Sequence, residues 1–457
     1  MHDDPPDLRS YLRQLRELPP EEFVAVEREV DPVHEACAVM AALEARGQRP
    51  AVLFQRVRGH DMPVISNIFA RRGRIALALG VEEGLLNAAL RAREDARIKP
   101  EIVTDGPVKE IILRDREVDL RRLPAFTHHA SDAGPYISGG AMVVRDPETG
   151  IRNVGMYRHW IRGERNLGIH LAETGHAYLI YQKHRRRGQP MEVAITVGHH
   201  PAFYLGAVSF VPFGVDEYDV VGGLMQRPLR LVRAETVDLE VPADAEIVIE
   251  GYIPPEERAP EGPFGEYSGT YGYQPSAPVV HVRAVGMRRS PIWLDVFAGH
   301  PDHQLLGGTP RLASIYRMVR AACPTVRDVY MPPAGCCRFI CVISIEKSLE
   351  GEPKNVACAA FAADPMIRYA VVVDHDVNIF DDSEVLKAIA LRTRQDSYFV
   401  IPRAKGHPTD PVAVEGHLMT KVGIDATRPL SGYPQEIAVP GADRVRLADY
   451  LPGLFGP

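Results

Sequence analysis

Glu261-Gly-Pro-Phe-Gly-Glu-Tyr-Ser-Gly269 sets two carboxylates five residues apart, with Gly262, Pro263 and Gly265 between them. Pro has no N–H to give a helix and Gly is costly inside one, so a regular helix is excluded. The segment reads as a turn leading into a strand, holding both acids near one spot. Paired carboxylates on such a turn suit proton transfer, because burial and mutual repulsion keep one of them protonated near neutral pH. Read alone, the nine residues favour a surface loop with two solvated acids. The rest of the chain changes that reading.

Outward from this stretch, the block from Lys109 to about Arg288 is β-rich. Ile111-Ile-Leu113, Gly140-Ala-Met-Val-Val144, Val193-Ala-Ile-Thr-Val197, Glu246-Ile-Val-Ile-Glu250 and Val279-Val-His-Val282 are short runs punctuated by Gly, Pro and Asn. That is the texture of a barrel or sandwich. One helical pattern, His176 to Arg187, interrupts it. Towards the N-terminus, Leu8, Tyr11, Leu12, Leu15 and Leu18 keep helical spacing up to Pro19-Pro20. Strand-like runs at Phe23 to Val30, Ala51 to Phe54 and Pro63 to Ser66, with helices over His34 to Arg46 and within Arg74 to Arg93, complete an α/β block. Towards the C-terminus, a helix around Ala313 to Ala322, strands at Arg338 to Ser344 and Tyr369 to Val373, and a helix over Ser383 to Arg394 alternate as in a second α/β domain. A multidomain α/β chain is expected, divided at residues 1–107, 108–310 and 311–457. Its apolar tail, Leu447 to Phe455, suits docking on another subunit.

A chain of 457 residues has room for two or three cores. The net charge of −7 gives no reason to expect nucleic acid as a partner. Six Cys without a CxxC pair read as reduced thiols, neither a disulfide frame nor a zinc knuckle. No basic-then-apolar leader is visible, and no apolar run approaches about 18 residues, so a cytoplasmic chain without a membrane span is expected.

The β-rich block holds most candidates for chemistry. Asn153-Val-Gly-Met-Tyr-Arg158 places an amide and a guanidinium five residues apart. On an extended strand these point to opposite faces, so a bend near Gly155 is needed for both to meet one ligand. Arg is the natural grip for a carboxylate. His176 follows Gly175 at a helix start, where N–H groups attract phosphate. Glu217 lies just after the turn Pro212-Phe-Gly214. Asn, His and Glu together suit a hard divalent cation, Mn²⁺ or Mg²⁺, better than zinc. Singly, each is as readable as a structural residue. HExxH, a Walker lysine and a nucleophile-elbow Ser are absent. Gly222-Gly223 and Gly307-Gly308 are too short to argue for a dinucleotide site. His128-His129 and His199-His200 point oppositely on a strand, and nothing near Cys336-Cys337 depresses a thiol pKa.

Four longer stretches then carry a resemblance. Thr127-His-His-Ala-Ser-Asp-Ala-Gly-Pro-Tyr136, Arg145-Asp-Pro-Glu-Thr-Gly-Ile-Arg-Asn-Val-Gly-Met-Tyr-Arg158, Ala259-Pro-Glu-Gly-Pro-Phe-Gly-Glu-Tyr-Ser-Gly269 and Lys421-Val-Gly-Ile-Asp-Ala-Thr427 resemble, in order and spacing, the UbiD family of decarboxylases. Glu29-Val-Asp-Pro32 and Pro50-Ala-Val-Leu-Phe54 fit too, so the resemblance spans nearly the whole chain. It implies a reversible, non-oxidative (de)carboxylase of aromatic, heteroaromatic or α,β-unsaturated acids. It implies prenylated FMN, supplied by a partner flavin prenyltransferase, with Mn²⁺ (or Mg²⁺) and K⁺ at its phosphate. The implied fold is an α/β N-terminal domain, a flavin-reductase-like split β-barrel and an α/β C-terminal domain, assembled as a homodimer or homohexamer.

Carried over residue by residue, Asn153, His176 and Glu217 match metal-and-phosphate positions, His176 through its spacing to Gly188-Gln-Pro190. Tyr157 and Lys421 match cofactor-binding positions, Lys421 at the phosphate. Arg158, Glu261 and Glu266 match the catalytic network. By that match Arg158 orients the leaving carboxylate, Glu261 braces Arg158, and Glu266 delivers the proton that replaces CO₂. His303 and Arg311, with Leu306 between them, resemble residues that furandicarboxylate-type members turn toward a second carboxylate, so a ring acid with a second anionic or polar group is expected. Two other readings stay open: a split-barrel FMN reductase, which needs no Glu261/Glu266 pair, and a non-catalytic flavin- or metal-binding subunit of a larger carboxylase.

Overall fold

The computed structural model describes residues 5–173, 175–407, 409–414, 417–437, 439–441 and 444–450. Helix Leu8–Arg16 forms as its spacing predicts, burying Leu8, Tyr11, Leu12 and Leu15 on one face, and the Asp7 side chain caps its start. Strands Phe23–Val26, Ala51–Phe54 and Val64–Ser66 build a sheet whose fourth strand, Trp293–Leu294, arrives from far down the chain. The first strand stops at Val26, short of Val30, because the charged run Glu27-Arg-Glu29 follows and Val30 makes only a single bridge, to Val57. The N-terminal sheet therefore reaches across the expected boundary near residue 107.

Ten strands form the central sheet. Its path runs from Tyr136–Ile137 through His159–Ile161, Asn166–Ile169, Tyr271–Met287, Ile247–Ile253, Met191–Val197 and Gly140–Arg145 to Arg152–Met156. The 17-residue strand Tyr271–Met287 also pairs with Ile111–Arg114 and Arg258–Gly265. The two ends of the path are not paired with each other, so the sheet is a curled half-barrel, open at its seam.

The stretch around Glu261 departs from a turn ahead of a strand: strand Arg258–Gly265 runs through it. The strand is irregular, with register shifts between Ala259 and Glu261 and again between Glu261 and Phe264. Such breaks let Pro263 and Gly262 sit in a strand, since the ladder is already interrupted there. Gly262 has φ 95, and a Cβ at this position would press on the Gly272 carbonyl. The turn comes afterwards, where Gly269 N–H donates to Glu266 O at 2.9 Å.

The C-terminal sheet orders its strands Val326–Tyr330, Ile340–Ile345, Tyr369–Asp374, Leu418–Ala426 and Tyr398–Lys405, and helices Arg311–Ala322, Glu352–Ala363 and Asp382–Arg392 belong to the same part of the chain. Among the described residues four helices of seven residues or more escape sequence reading: Pro201–Ala207, Glu217–Met225, Pro301–Gly308 and Glu352–Ala363. Three open with Pro in their first turn, a start signal easily taken for a breaker. The fourth holds Gly222 and Gly223, where any Cβ would strike the Ile98 and Arg93 carbonyls, so the pair allows close helix packing. Among the described residues no helix is long and apolar enough to cross a membrane. Most of the expected docking tail lies outside the described residues; Leu447–Tyr450 is a short helix with Leu447 and Tyr450 exposed.

Candidate active site

Strand Arg152–Met156 pairs with Gly140–Arg145, and after Tyr157 and Arg158 the chain pairs instead with Tyr136–Ile137 and Asn166–Ile169. The expected bend near Gly155 therefore falls two residues later, at the handover between partners. Gly155 has another use: a Cβ there would crowd the folded-back Tyr157 ring at 2.9 to 3.2 Å. Arg158 leaves the handover buried, and its Nε donates to both Glu261 oxygens at 3.0 and 3.2 Å while Nη2 donates to Oε2 at 2.6 Å. Its Nη1 pairs with Glu266 Oε1. The two acids of the opening stretch thus meet on one guanidinium. Phe264, between them in sequence, lies under that guanidinium at 5.2 Å, with the Tyr136 ring 4.4 Å from its own.

Burial pushes the Glu266 carboxyl up, Arg158 opposes this, and Glu261 adds a smaller upward push. Desolvation, more than the neighbouring carboxylate, drives that upward shift. Arg158 is held charged: burial works against its cation, but Glu266 and Glu261 outweigh it. With Glu266 protonated, the three groups sum to zero charge, which is the cheapest state for a buried cluster. Glu266 lines a cavity of about 170 Å³ together with Arg158, His170 and Gln274, and of Glu266 and Arg158 only Arg158 also lines the cavity described below.

The second cluster starts from the same strand. Asn153 Nδ2 and the Val154 N–H donate to the Glu217 carboxylate, each at 2.8 Å. His176 Nδ1 stands 3.8 Å from Glu217 Oε1. His176 and Glu217 are each the first residue of a helix, so two positive helix ends converge on Asn153. Asn153 Oδ1 is buried without a hydrogen-bond partner, and burial pushes Glu217 up, with His176 and Val154 pulling it down. An orphaned amide oxygen, a carboxylate and an imidazole turned together form a donor set for a hard divalent cation. Tyr157 links the clusters: it lines the cavity beside Arg158, and burial and then Glu217 raise its phenol pKa.

That cavity, of about 230 Å³, brings Tyr157, Arg158, Phe264, His303, Leu306 and Arg311 to one space. Arg311 is already answered, donating to Asp364 at 2.6 Å. Burial, helped by Arg338, pushes His303 down to about 3, so it is neutral. Lys421 sits elsewhere, in the C-terminal sheet, donating to the Pro365 and Ile367 carbonyls at 3.1 and 2.9 Å. Burial lowers its pKa to about 8. Sequence reading misses Arg338, which also lines the cavity and in the sequence is legible only as the head of a buried strand. A charge beginning such a strand was the available signal. It missed too the network beneath the cavity wall, where Ser138 and His128 both contact buried Asp295, at 2.7 and 2.8 Å.

A buried arginine fork between two acids, beside a cation-ready cluster, marks an enzyme handling carboxylates. Family models for the 3-octaprenyl-4-hydroxybenzoate carboxy-lyase N-terminal, Rift-related and C-terminal domains match residues 19–93, 101–301 and 304–426. The chain belongs to the UbiD family, and it is a carboxy-lyase of that type. An anhydromevalonate phosphate decarboxylase of Methanothermobacter thermautotrophicus is 36% identical over 427 residues, covering 93% of this chain and 97% of that one. The UbiD-class enzyme HmfF from Pelotomaculum thermopropionicum, solved with FMN, is 41% identical with a TM-score of 0.91, over 97% of this chain and 100% of that one. An evolved dimeric form of HmfF, solved with prFMN, is 40% identical with a TM-score of 0.88 and the same coverage.

Proposed function

We propose that this chain is a prenylated-FMN-dependent, reversible, non-oxidative decarboxylase of an aromatic, heteroaromatic or α,β-unsaturated acid that bears a second anionic or polar group. The observation that carries this reading is Arg158, gripped from one side by Glu261 and meeting raised Glu266 on the other, at the wall of a cavity. Arg158 orients the substrate carboxylate through two parallel hydrogen bonds, and Glu261 fixes the guanidinium plane. Glu266 holds the proton that takes the place of CO₂ on the substrate carbon. Met156, Val208 and Leu306 give the cavity an apolar wall for a flat ring and exclude water. Asn153, His176 and Glu217 would hold Mn²⁺ or Mg²⁺ at the cofactor phosphate, with K⁺ nearby and Lys421 as a further phosphate contact. When bound, prenylated FMN supplies the electron sink that an sp² carbon losing CO₂ lacks.

A second polar or anionic group on the substrate agrees with His303 in the cavity and with a relative named anhydromevalonate phosphate decarboxylase; Arg311 lines the same cavity but is paired with Asp364. A flavin prenyltransferase supplies the cofactor, and the chain works in the cytoplasm as a homodimer or homohexamer. The test is production with and without a flavin prenyltransferase, then mass measurement of the released flavin and CO₂ release from a panel of acids. Prenylated FMN together with prenyltransferase-dependent CO₂ release is the expected result. Oxidation of NAD(P)H with plain FMN would establish the reductase reading instead, and inactivity with either flavin the subunit reading.

A further inference from the structure

Among the described residues Arg158 lines both the main cavity and the smaller one of about 170 Å³, whereas Glu266 lines only the smaller one. The Glu266 carboxyl, paired through Oε1 with Arg158 Nη1, therefore stands at a partition between two chambers. The smaller chamber runs from a buried floor to a wet rim. Arg158 and Glu266 are buried, while Thr270, Tyr271 and Tyr273 are exposed. Between floor and rim stand His170 and Gln274, both half-buried.

The lining suits water. Gln274 Nε2 donates to His170 Nε2 at 3.3 Å, which leaves the ring proton on Nδ1. Burial, and then Arg158, push His170 down to about 3, so the ring is neutral and adds no charge beside the Arg158 cation. Asp410, also in the lining, is already answered by Arg368. The volume has room for several waters, each taking about 30 Å³ in the liquid, and an imidazole, an amide and a carboxyl are partners enough to order them.

A decarboxylation that ends in a C–H bond consumes one proton per turnover. Glu266 is then left as a carboxylate and must be recharged. The main cavity is poorly placed to do this, because a bound ring against Met156, Val208 and Leu306 excludes water from that side. We propose that the smaller chamber is the proton inlet, where water ordered by His170 and Gln274 passes one proton from solvent to the Glu266 carboxylate after each turnover. Water beside Glu266 gives up a proton and takes one from the next water outward. One H⁺ thus enters from bulk, no electron moves, and His170, a positioning residue, ends the cycle neutral. This rests on the decarboxylase reading above. A merely structural role is also available to His170, bracing Gln274 on strand Tyr271–Met287, and the test must separate the two.

Two variants close the inlet in different ways. His170→Leu makes its middle apolar, and Thr270→Trp plugs its rim. The first readout needs no turnover: rapid mixing with D₂O, following proton exchange at the Glu266 carboxylic acid band in the infrared, assigned by its loss in Glu266→Gln. Each variant should slow this exchange about ten-fold or more, and His170→Asn should regain part of the rate. In the flavin-loaded enzyme, both should lower kcat with KM nearly unchanged and raise the solvent deuterium isotope effect, because recharging becomes the slow step. A brace would alter KM or Tm and leave the exchange alone. Wild-type exchange rates in both variants overturn the inference, as does the absence of a protonated Glu266 band. If His170→Leu does not fold, Thr270→Trp decides it. CO₂ release by the wild-type enzyme reports separately on the decarboxylase reading.

Discussion

The Arg158 and Asn153 clusters grow from one strand and its exit, yet they are finished to different degrees. Around Arg158 both carboxylates have their cation in place. Around Asn153, the buried Glu217 carboxylate finds an amide, a backbone N–H and an imidazole, and one amide oxygen finds nothing. Glu266 and Glu217 are both pushed up by burial. The same shift means different things. Where the cation is already present, a raised carboxyl stores a proton; where none is present, it marks the place for one.

Substitutions at the two carboxyls should break this symmetry in opposite directions. Glu266→Gln should lower kcat by about 10²–10⁴-fold while the flavin spectrum stays intact; near-wild-type turnover would remove Glu266 as the proton donor. Arg158→Met strands Glu261 in a dry site, which should cost about 3–5 kcal/mol of stability, read as a several-degree fall in Tm. Glu217→Gln should take metal content, measured by elemental analysis, from stoichiometric to trace and carry flavin occupancy down with it. Retained metal would mean that Glu217 is not a ligand.

Acidity sharpens the contrast further. Decarboxylation should fall as pH rises past the raised pKa of Glu266, because the acid form is the working form. The fold itself responds at the other end. His159, His199 and His200 are buried, and burial depresses their pKa values from 6.5 to about 3, 3 and 4. Unfolded, they would take protons below pH 6.5, so stability present above that value is lost as pH drops toward 4. Each can contribute up to about 1.4 kcal/mol per pH unit over that window. Thermal melts from pH 7 to 5 should show a falling Tm; a flat profile would mean that these imidazoles find partners or water on folding.

Much of this was legible in the residues. Periodicity located helix Leu8–Arg16, strand Ala51–Phe54 and helix His176–Arg186 within a residue or two, because local pattern and burial agree there. Gly and Pro around Glu261 excluded a helix, but could not show that the strand continues through its own irregularities. The bend expected near Gly155 falls at Tyr157 and Arg158 instead, since its cause is a change of strand partner, from Gly140–Arg145 to Tyr136–Ile137 and Asn166–Ile169. Arg338 was opaque for the same reason. Its place in the cavity lining comes from the fold and not from its neighbours in sequence.

One topological detail has a temporal consequence. The edge strand Val64–Ser66 waits for Trp293–Leu294 before its sheet is complete. On the ribosome that partner follows roughly 230 residues later, about 10 to 45 s at ordinary synthesis rates. During that interval a short, mostly apolar edge is open to other chains, and closure of the first sheet becomes a late event that locks in a finished central one.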